Sequence, residues 1–268
     1  MMLRHSPTLA QPNPRFRLKL LEDGRAALNL GCGTRMHRSW NNLDFSLHIL
    51  LSRHPAISNI LRKLGVLSQE RYEKLLRVAP DAIYWNLAKG IPFADDTLDI
   101  VYHSHMLEHF DRELAPEILK ECFRVLKRNG IIRVVLPDLQ ILINKYNASV
   151  TLLQQNKSVA ALEHHYQAIY DLFEQMVRRE MAGTQQQRKV VRRLENLVRG
   201  DASQTGEIHR WMYDSYSLEE LLTQVGFKDI RVQTPFTSRI AGWTSFNLDT
   251  DADGTIDKPD SLYMEGVK

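Results

Sequence analysis

The sequence predicts an α/β fold, a doubly wound and mostly parallel sheet with helices inserted between its strands. Three observations carry that expectation. Short runs of Val, Ile and Leu, apolar almost throughout, read as strands covered on both faces. Segments with apolar residues at helical spacing alternate with them, which is the signature of crossover connections. One early apolar run ends in Gly31-Cys32-Gly33, a turn whose glycines let a ligand approach the backbone.

In chain order, strands are expected at residues 26–31, 42–45, 83–86, 98–103, 131–136, 230–234 and 261–267. A helix over 114–127 gathers Leu114, Ile118, Leu119, Phe123 and Leu126 on one face. Lys127-Arg128-Asn129-Gly130 then offers a basic last turn and a stop. Ser217-Leu-Glu-Glu220 reads as a capping box opening a short helix that closes at Gly226. Two stretches exceed a minimal alternating unit. Residues 46–80 read as one or two inserted helices. Residues 139–200 read as an inserted helical cap, because a structureless loop of that length is improbable in a compact domain. Residues 1–24 are then an N-terminal extension, and 25–268 a single domain.

Composition narrows the class. The 268 residues are 43% hydrophobic and 25% charged, the balance of an ordinary globular chain. No window approaches the roughly 18 consecutive apolar residues that a membrane span requires. The first residues lack the apolar stretch of a secretory signal. Two cysteines, Cys32 and Cys122, exclude a disulfide framework and point to a reducing, cytoplasmic compartment. The net charge of +3 is uneven: residues 178–199 hold seven Lys and Arg against two Glu. That segment is either a solvated helix face or a contact surface for an acidic partner.

The glycine turn raises the question of a ribose-binding acid. Asp44 ends the run Trp40-Asn-Asn-Leu-Asp44 at the tip of the next strand, where a carboxylate can accept two sugar hydroxyls. A nicotinamide dinucleotide is disfavoured, because Gly33 continues as Thr34-Arg35-Met36 without a third glycine. The acid also follows Gly31 too soon, where that fingerprint expects it about 20 residues on. Asp249–Asp260 has the spacing of a twelve-residue calcium loop, but Pro259 and a following strand are the wrong flanks. Asp and Gly serve a hairpin turn for backbone reasons alone, and no metal is expected.

Together these segments resemble the class I S-adenosylmethionine-dependent methyltransferases, specifically the small-molecule type with a Gly-Cys-Gly turn. Ile83-Tyr-Trp-Asn86 followed by Gly90-Ile-Pro-Phe-Ala-Asp-Asp-Thr-Leu-Asp-Ile-Val101 is similar to that family's third and fourth strands. His103-Ser-His-Met-Leu-Glu-His109 looks like its segment after the fourth strand. Glu121 to Pro137 looks like its next helix and fifth strand. The resemblance implies a Rossmann-like, seven-stranded sheet whose last strand is antiparallel, with S-adenosylmethionine as cofactor. It places Gly31 and Gly33 at the methionine part, Asp44 at the ribose, Asn86 with Leu87 at the adenine, and Ser104 and His105 beside the cofactor, with Asn29 and Cys32 completing the expected cofactor-binding set. Three positions depart from the family pattern: Asn29 replaces an acid, Arg35 a third glycine, and Asn86 an Asp. Arg35 is then placed to meet the cofactor's carboxylate or a substrate anion.

A general base is needed only if the acceptor must lose a proton. His105 is the first candidate, followed by Tyr213 and Asp214 from the run His209-Arg-Trp-Met-Tyr-Asp214, with Glu108, His109 and His209 close by. Glu108 and His109 also read as the start of the following helix. The expected acceptor is a small molecule, sugar-like or carrying a hydroxyl or carboxyl. Nucleic acid is the rival acceptor. Against it, Ser104-His-Met-Leu107 lacks the Asn/Asp-Pro-Pro-aromatic motif of enzymes acting on base amino groups, and Cys122 has no preceding Pro. A non-catalytic cofactor binder is the other alternative, and oligomeric state is left open.

Overall fold

The computed structural model describes residues 16–76, 78, 81–176 and 209–268. Seven strands form one sheet: β1 (Ala27–Leu30), β2 (Asn41–Asp44), β3 (Ile83–Tyr84), β4 (Leu98–Ser104), β5 (Leu126–Pro137), β6 (Lys228–Gln233) and β7 (Ser261–Val267). Their order is β3-β2-β1-β4-β5-β7-β6. All pairings from β3 to β5 are parallel, and β7 runs antiparallel to both β5 and β6. This is a Rossmann-like sheet with an inverted last strand, as the sequence predicts.

The helices are α1 (Leu47–Ser52), α2 (Pro55–Lys63), α3 (Gln69–Leu76), α4 (Ala115–Val125), α5 (Leu139–Gln155), α6 (Val159–Met176) and α7 (Ser215–Val225). One face of the sheet buries Leu28, Leu30, Val101, Val134 and Met264 against Ile118, Leu119 and Cys122 of α4 and Leu218 and Leu222 of α7. Each such side chain contributes about 1.5–3 kcal/mol on burial, which makes this face the main source of stability. The helices α1–α3 occupy the insertion expected at 46–80, and α5 with α6 forms a hairpin within the one expected at 139–200. Residues 177–200 of that cap, and with them the whole basic segment 178–199, lie outside the described residues.

The opposite face is built differently. Residues 31–40 join β1 to β2 by turns alone, with no helix to cover the sheet. An aromatic group fills the gap: Trp40 is fully buried and meets Tyr102, Trp243 and Phe246 edge-on at centroid distances of 6.2, 6.1 and 5.2 Å. Beneath it, Arg133 of β5 is completely buried. Its five N–H donors reach Asp249, Glu265 and the carbonyls of Thr234 and Thr237 at 2.7–3.0 Å. Its guanidinium lies 4.5 Å from the Trp243 ring. A cation this deep is tolerated because every donor is satisfied.

Two expected boundaries shift. The helix read over 114–127 stops at Val125, and Lys127–Gly130 belongs to β5, where Asn129 takes φ +66° beside Gly130. A Cβ at Gly130 would stand 2.8 Å from the Lys127 carbonyl, so that glycine serves a bulged strand entry rather than a helix stop. The cap of α7 is Asp214, whose carboxylate accepts the Ser217 N–H at 2.8 Å while the Ser217 hydroxyl accepts the Asp214 N–H. Gly226 does close that helix, at φ +116°.

Candidate active site

The predicted cofactor residues converge beyond the carboxyl ends of β1, β2 and β4, where open α/β sheets place their ligands. Parallel pairing sets Asp44 beside the turn that leaves β1. Its Oδ2 accepts the Gly33 N–H at 2.7 Å and its Oδ1 the Ser46 N–H at 2.5 Å. The two glycines have different reasons to be glycine. A Cβ on Gly31 (φ +62°) would strike Met106 Cγ at 2.8 Å, so the turn packs directly against the segment after β4. A Cβ on Gly33 (φ +51°) meets nothing within 4 Å. Gly33 faces open space at the strand ends, next to a carboxylate.

The other members are distributed less evenly. Asn29 is buried, and its amide donates to the Arg35 carbonyl at 2.9 Å and to Asn42 Oδ1 at 3.3 Å, so it shapes the turn. Cys32 is buried among Ile49, Val78 and Ala82, and burial raises its thiol well above the usual range. Asn86 and Leu87 follow β3, where Trp85 N–H bonds the Asp44 carbonyl at 3.0 Å and ties that segment to the end of β2. Ser104 ends β4 opposite Val135. Arg35 does not reach toward the strand ends as expected. It bonds Asp251 at 2.7 Å and lies 3.5 Å from Asp257, pinning the loop that follows Leu248.

That loop holds the calcium-like spacing, and its carboxylates are spent elsewhere. Asp249 serves Arg133, Asp251 serves Arg35, Asp253 accepts from Thr255, and Asp260 meets Lys145.

His105 follows Ser104 in a left-handed conformation, φ +49°. Such a backbone costs about 1–3 kcal/mol for a non-glycine residue and persists only where the surroundings impose it. Here its N–H bonds the Val135 carbonyl at 2.9 Å. Its ring spans two partners: Nε2 lies 2.8 Å from Ser261 Oγ, and Nδ1 lies 3.3 Å from Glu108 Oε1. The side chain keeps 21% of its surface exposed.

Glu108 and His109 do not begin α4. They sit on a separate 3-10 turn, Leu107–His109, and the Glu108 side chain is fully buried. The Glu108 carbonyl accepts the N–H groups of Arg210 and Trp211 at 2.7 and 3.3 Å, which brings His209 alongside. Tyr213 packs into the main core, and its hydroxyl has no hydrogen-bond partner among the described residues. Burial first, then the Glu108 charge, pushes its phenol up to about 12. Asp214 is committed to its helix, and the Ser217 bonds hold its carboxyl below the ordinary range.

The sheet order, inverted only at β7, and the glycine turn facing an acid across β1 and β2 are the Rossmann-like arrangement that the sequence predicts. A family model described as a methyltransferase domain matches residues 28–134. The matched stretch runs from β1 into β5. Among solved structures, the chain is similar to a SAM-dependent methyltransferase from Archaeoglobus fulgidus at 13% identity, covering 98% of this chain and 87% of that one, TM-score 0.37. A SAM-dependent methyltransferase from Thermotoga maritima matches at 15%, covering 93% and 84%, TM-score 0.39. The YcgJ protein from Bacillus subtilis matches at 13%, covering 90% and 91%, TM-score 0.40. No curated protein matches the chain. No helix among the described residues is long and apolar enough to cross a membrane.

The residues fit the cofactor. Gly33 leaves room at the strand ends, and the Asp44 carboxylate beside it is a hydrogen-bond acceptor of the kind sugar hydroxyls would need.

Proposed function

We propose that this enzyme methylates an oxygen of a small, sugar-like or otherwise hydroxyl- or carboxyl-bearing metabolite, in the cytoplasm, with His105 as general base. The observation that carries the reading is the strained His105 backbone at the end of β4, with the imidazole fixed between Ser261 and Glu108. When bound, S-adenosylmethionine supplies an activated methyl group for in-line displacement. The chain's own residues do the rest. Asp44 and the Gly33 turn hold the ribose end, while Asn86 and Leu87 border the adenine. His105 accepts the acceptor's proton at one ring nitrogen as the carbon–oxygen bond forms, and Glu108 beside Nδ1 stabilises the resulting imidazolium. Holding the acceptor at about 3–3.5 Å supplies much of the remaining acceleration. The cap formed by α5 and α6, with the segment from His209 to Asp214, borders the acceptor side and excludes water. Tyr213 and Asp214 are secondary candidates for the base. A phenol raised to about 12 and a carboxylate engaged by Ser217 both suit that role less well.

A methyl-labelled cofactor incubated with cell extract tests the acceptor. Label in a low-molecular-mass product supports the reading, whereas label confined to RNA or DNA transfers it to a nucleic-acid acceptor. With that product in hand, His105→Ala should lower turnover by about 10²–10⁴. Cofactor affinity by calorimetry should stay within about twofold, because the base acts in the transition state alone. Unchanged turnover would remove His105 from the reaction.

A further inference from the structure

The turn after β4 and the segment after the cap bring three ligand-type side chains together. Nitrogen and oxygen atoms of Glu108, His109 and His209 all lie within 4.8 Å of one another. Glu108 is fully buried and the His209 side chain is 2% exposed. The two imidazoles meet at a centroid distance of 4.8 Å, and His209 Nε2 stands 3.8 Å from Glu108 Oε1. We infer that Glu108, His109 and His209 form a binding site for one divalent transition-metal cation of the zinc class.

The chemistry of the set selects the ion. Two imidazole nitrogens and one carboxylate oxygen suit Zn²⁺, Co²⁺ or Mn²⁺, whereas Ca²⁺ and Mg²⁺ require mostly oxygen. Bonds of about 2.0–2.2 Å in a tetrahedron bring ligand atoms to roughly 3.3 Å apart. Binding therefore requires the three ligand atoms to draw in from the spacing seen here. The backbone is already locked, since Arg210 and Trp211 donate to the Glu108 carbonyl and fix His209 against the turn. Three protein ligands also leave one position for water or another oxygen, the pattern of catalytic rather than structural zinc.

The site adjoins the proposed base, because Glu108 also lies 3.3 Å from His105. It does not depend on that base, and its test reads metal rather than turnover. Chelator-stripped protein titrated with Co²⁺ should bind one equivalent and develop the intense visible bands of four- or five-coordinate cobalt. Zn²⁺ should then displace the cobalt and abolish the bands. His109→Ala and His209→Ala should each weaken Co²⁺ binding at least about tenfold, the scale on which even outer-shell changes register. The exposed His164→Ala and Asp253→Asn variants should bind as the parent does. His109 is only partly buried, so its variant tests the site even where loss of His209 harms folding. Two results would overturn the inference: no saturable cobalt binding by the folded parent, or binding equally tight in the His109→Ala variant. A protein that binds cobalt here yet methylates no hydroxyl acceptor would retain the metal site and lose only the proposed reaction.

Discussion

His103 shows what one side chain can impose. It is fully buried in β4, neither ring nitrogen has a hydrogen-bond partner among the described residues, and burial lowers its imidazole from 6.5 to about 4. The fold therefore holds it neutral, while the unfolded chain takes up a proton near pH 6.5. Stability present above that pH is lost as the pH falls toward 4, about 3 kcal/mol in total. His103→Leu should flatten this acid limb, measured as urea midpoints at pH 7 and 4.5, and a variant with the parent's slope would refute it. The glycines make the complementary point. Gly31→Ala forces a Cβ into Met106 and should cost the fold about 2 kcal/mol or more. Gly33→Ala, in open space, should register more strongly in cofactor affinity than Gly31→Ala does, after correction for stability. Asp44→Ala should weaken cofactor binding tenfold or more, about 1.5–3 kcal/mol by calorimetry, and equal affinity would reject its ribose role. The sequence presents both glycines as ligand-facing. Gly31 owes part of its identity to Met106, a neighbour 75 residues away that no local pattern reveals.

At the level of elements, the strands were legible because central strands read as unbroken apolar runs, and the described helices because their periodicity and stops are local. What escaped was set by pairing between distant segments. The entry to β5 looks like a helix terminus until its partner across the bulge is known. The capping box at α7 lies three residues before the Ser217–Glu220 pattern, since Asp214 and Ser217 satisfy it as well as Ser217 and Glu220 would. Asp214→Ala should cost about 1 kcal/mol in thermal or urea unfolding, the usual worth of such a cap. Nothing in the sequence marked Arg133 as the centre of a buried ionic cluster, because its partners Asp249 and Glu265 lie more than 100 residues further on. Removing the cation alone, as in Arg133→Met, leaves two buried carboxylates and should destabilise by about 3–5 kcal/mol. A differential scan in which Arg133→Met melts with the parent would show the cluster to be dispensable.

For the molecule as a whole, the missing helix between β1 and β2 is the main departure from a regular alternating plan. The Trp40–Trp243 cluster and the loop pinned by Arg35 take its place, so the wall behind the glycine turn comes from residues more than 200 positions away. Cofactor binding should therefore stabilise the entire domain rather than one loop. Saturation at about 100 times the dissociation constant adds roughly 2.7 kcal/mol, which should raise the melting temperature by about 5–10 °C. The position of β7 also dictates an order of events during synthesis. Val134, Val135 and Leu136 form an open, apolar strand edge until residues 261–267 have been made, and every partner on that side is supplied more than 120 residues later. Throughout that interval the nascent chain presents a template for pairing with any other extended chain. The late strand acts as a built-in chaperone requirement: messages truncated ahead of Ser261 should yield aggregates rather than a smaller soluble enzyme.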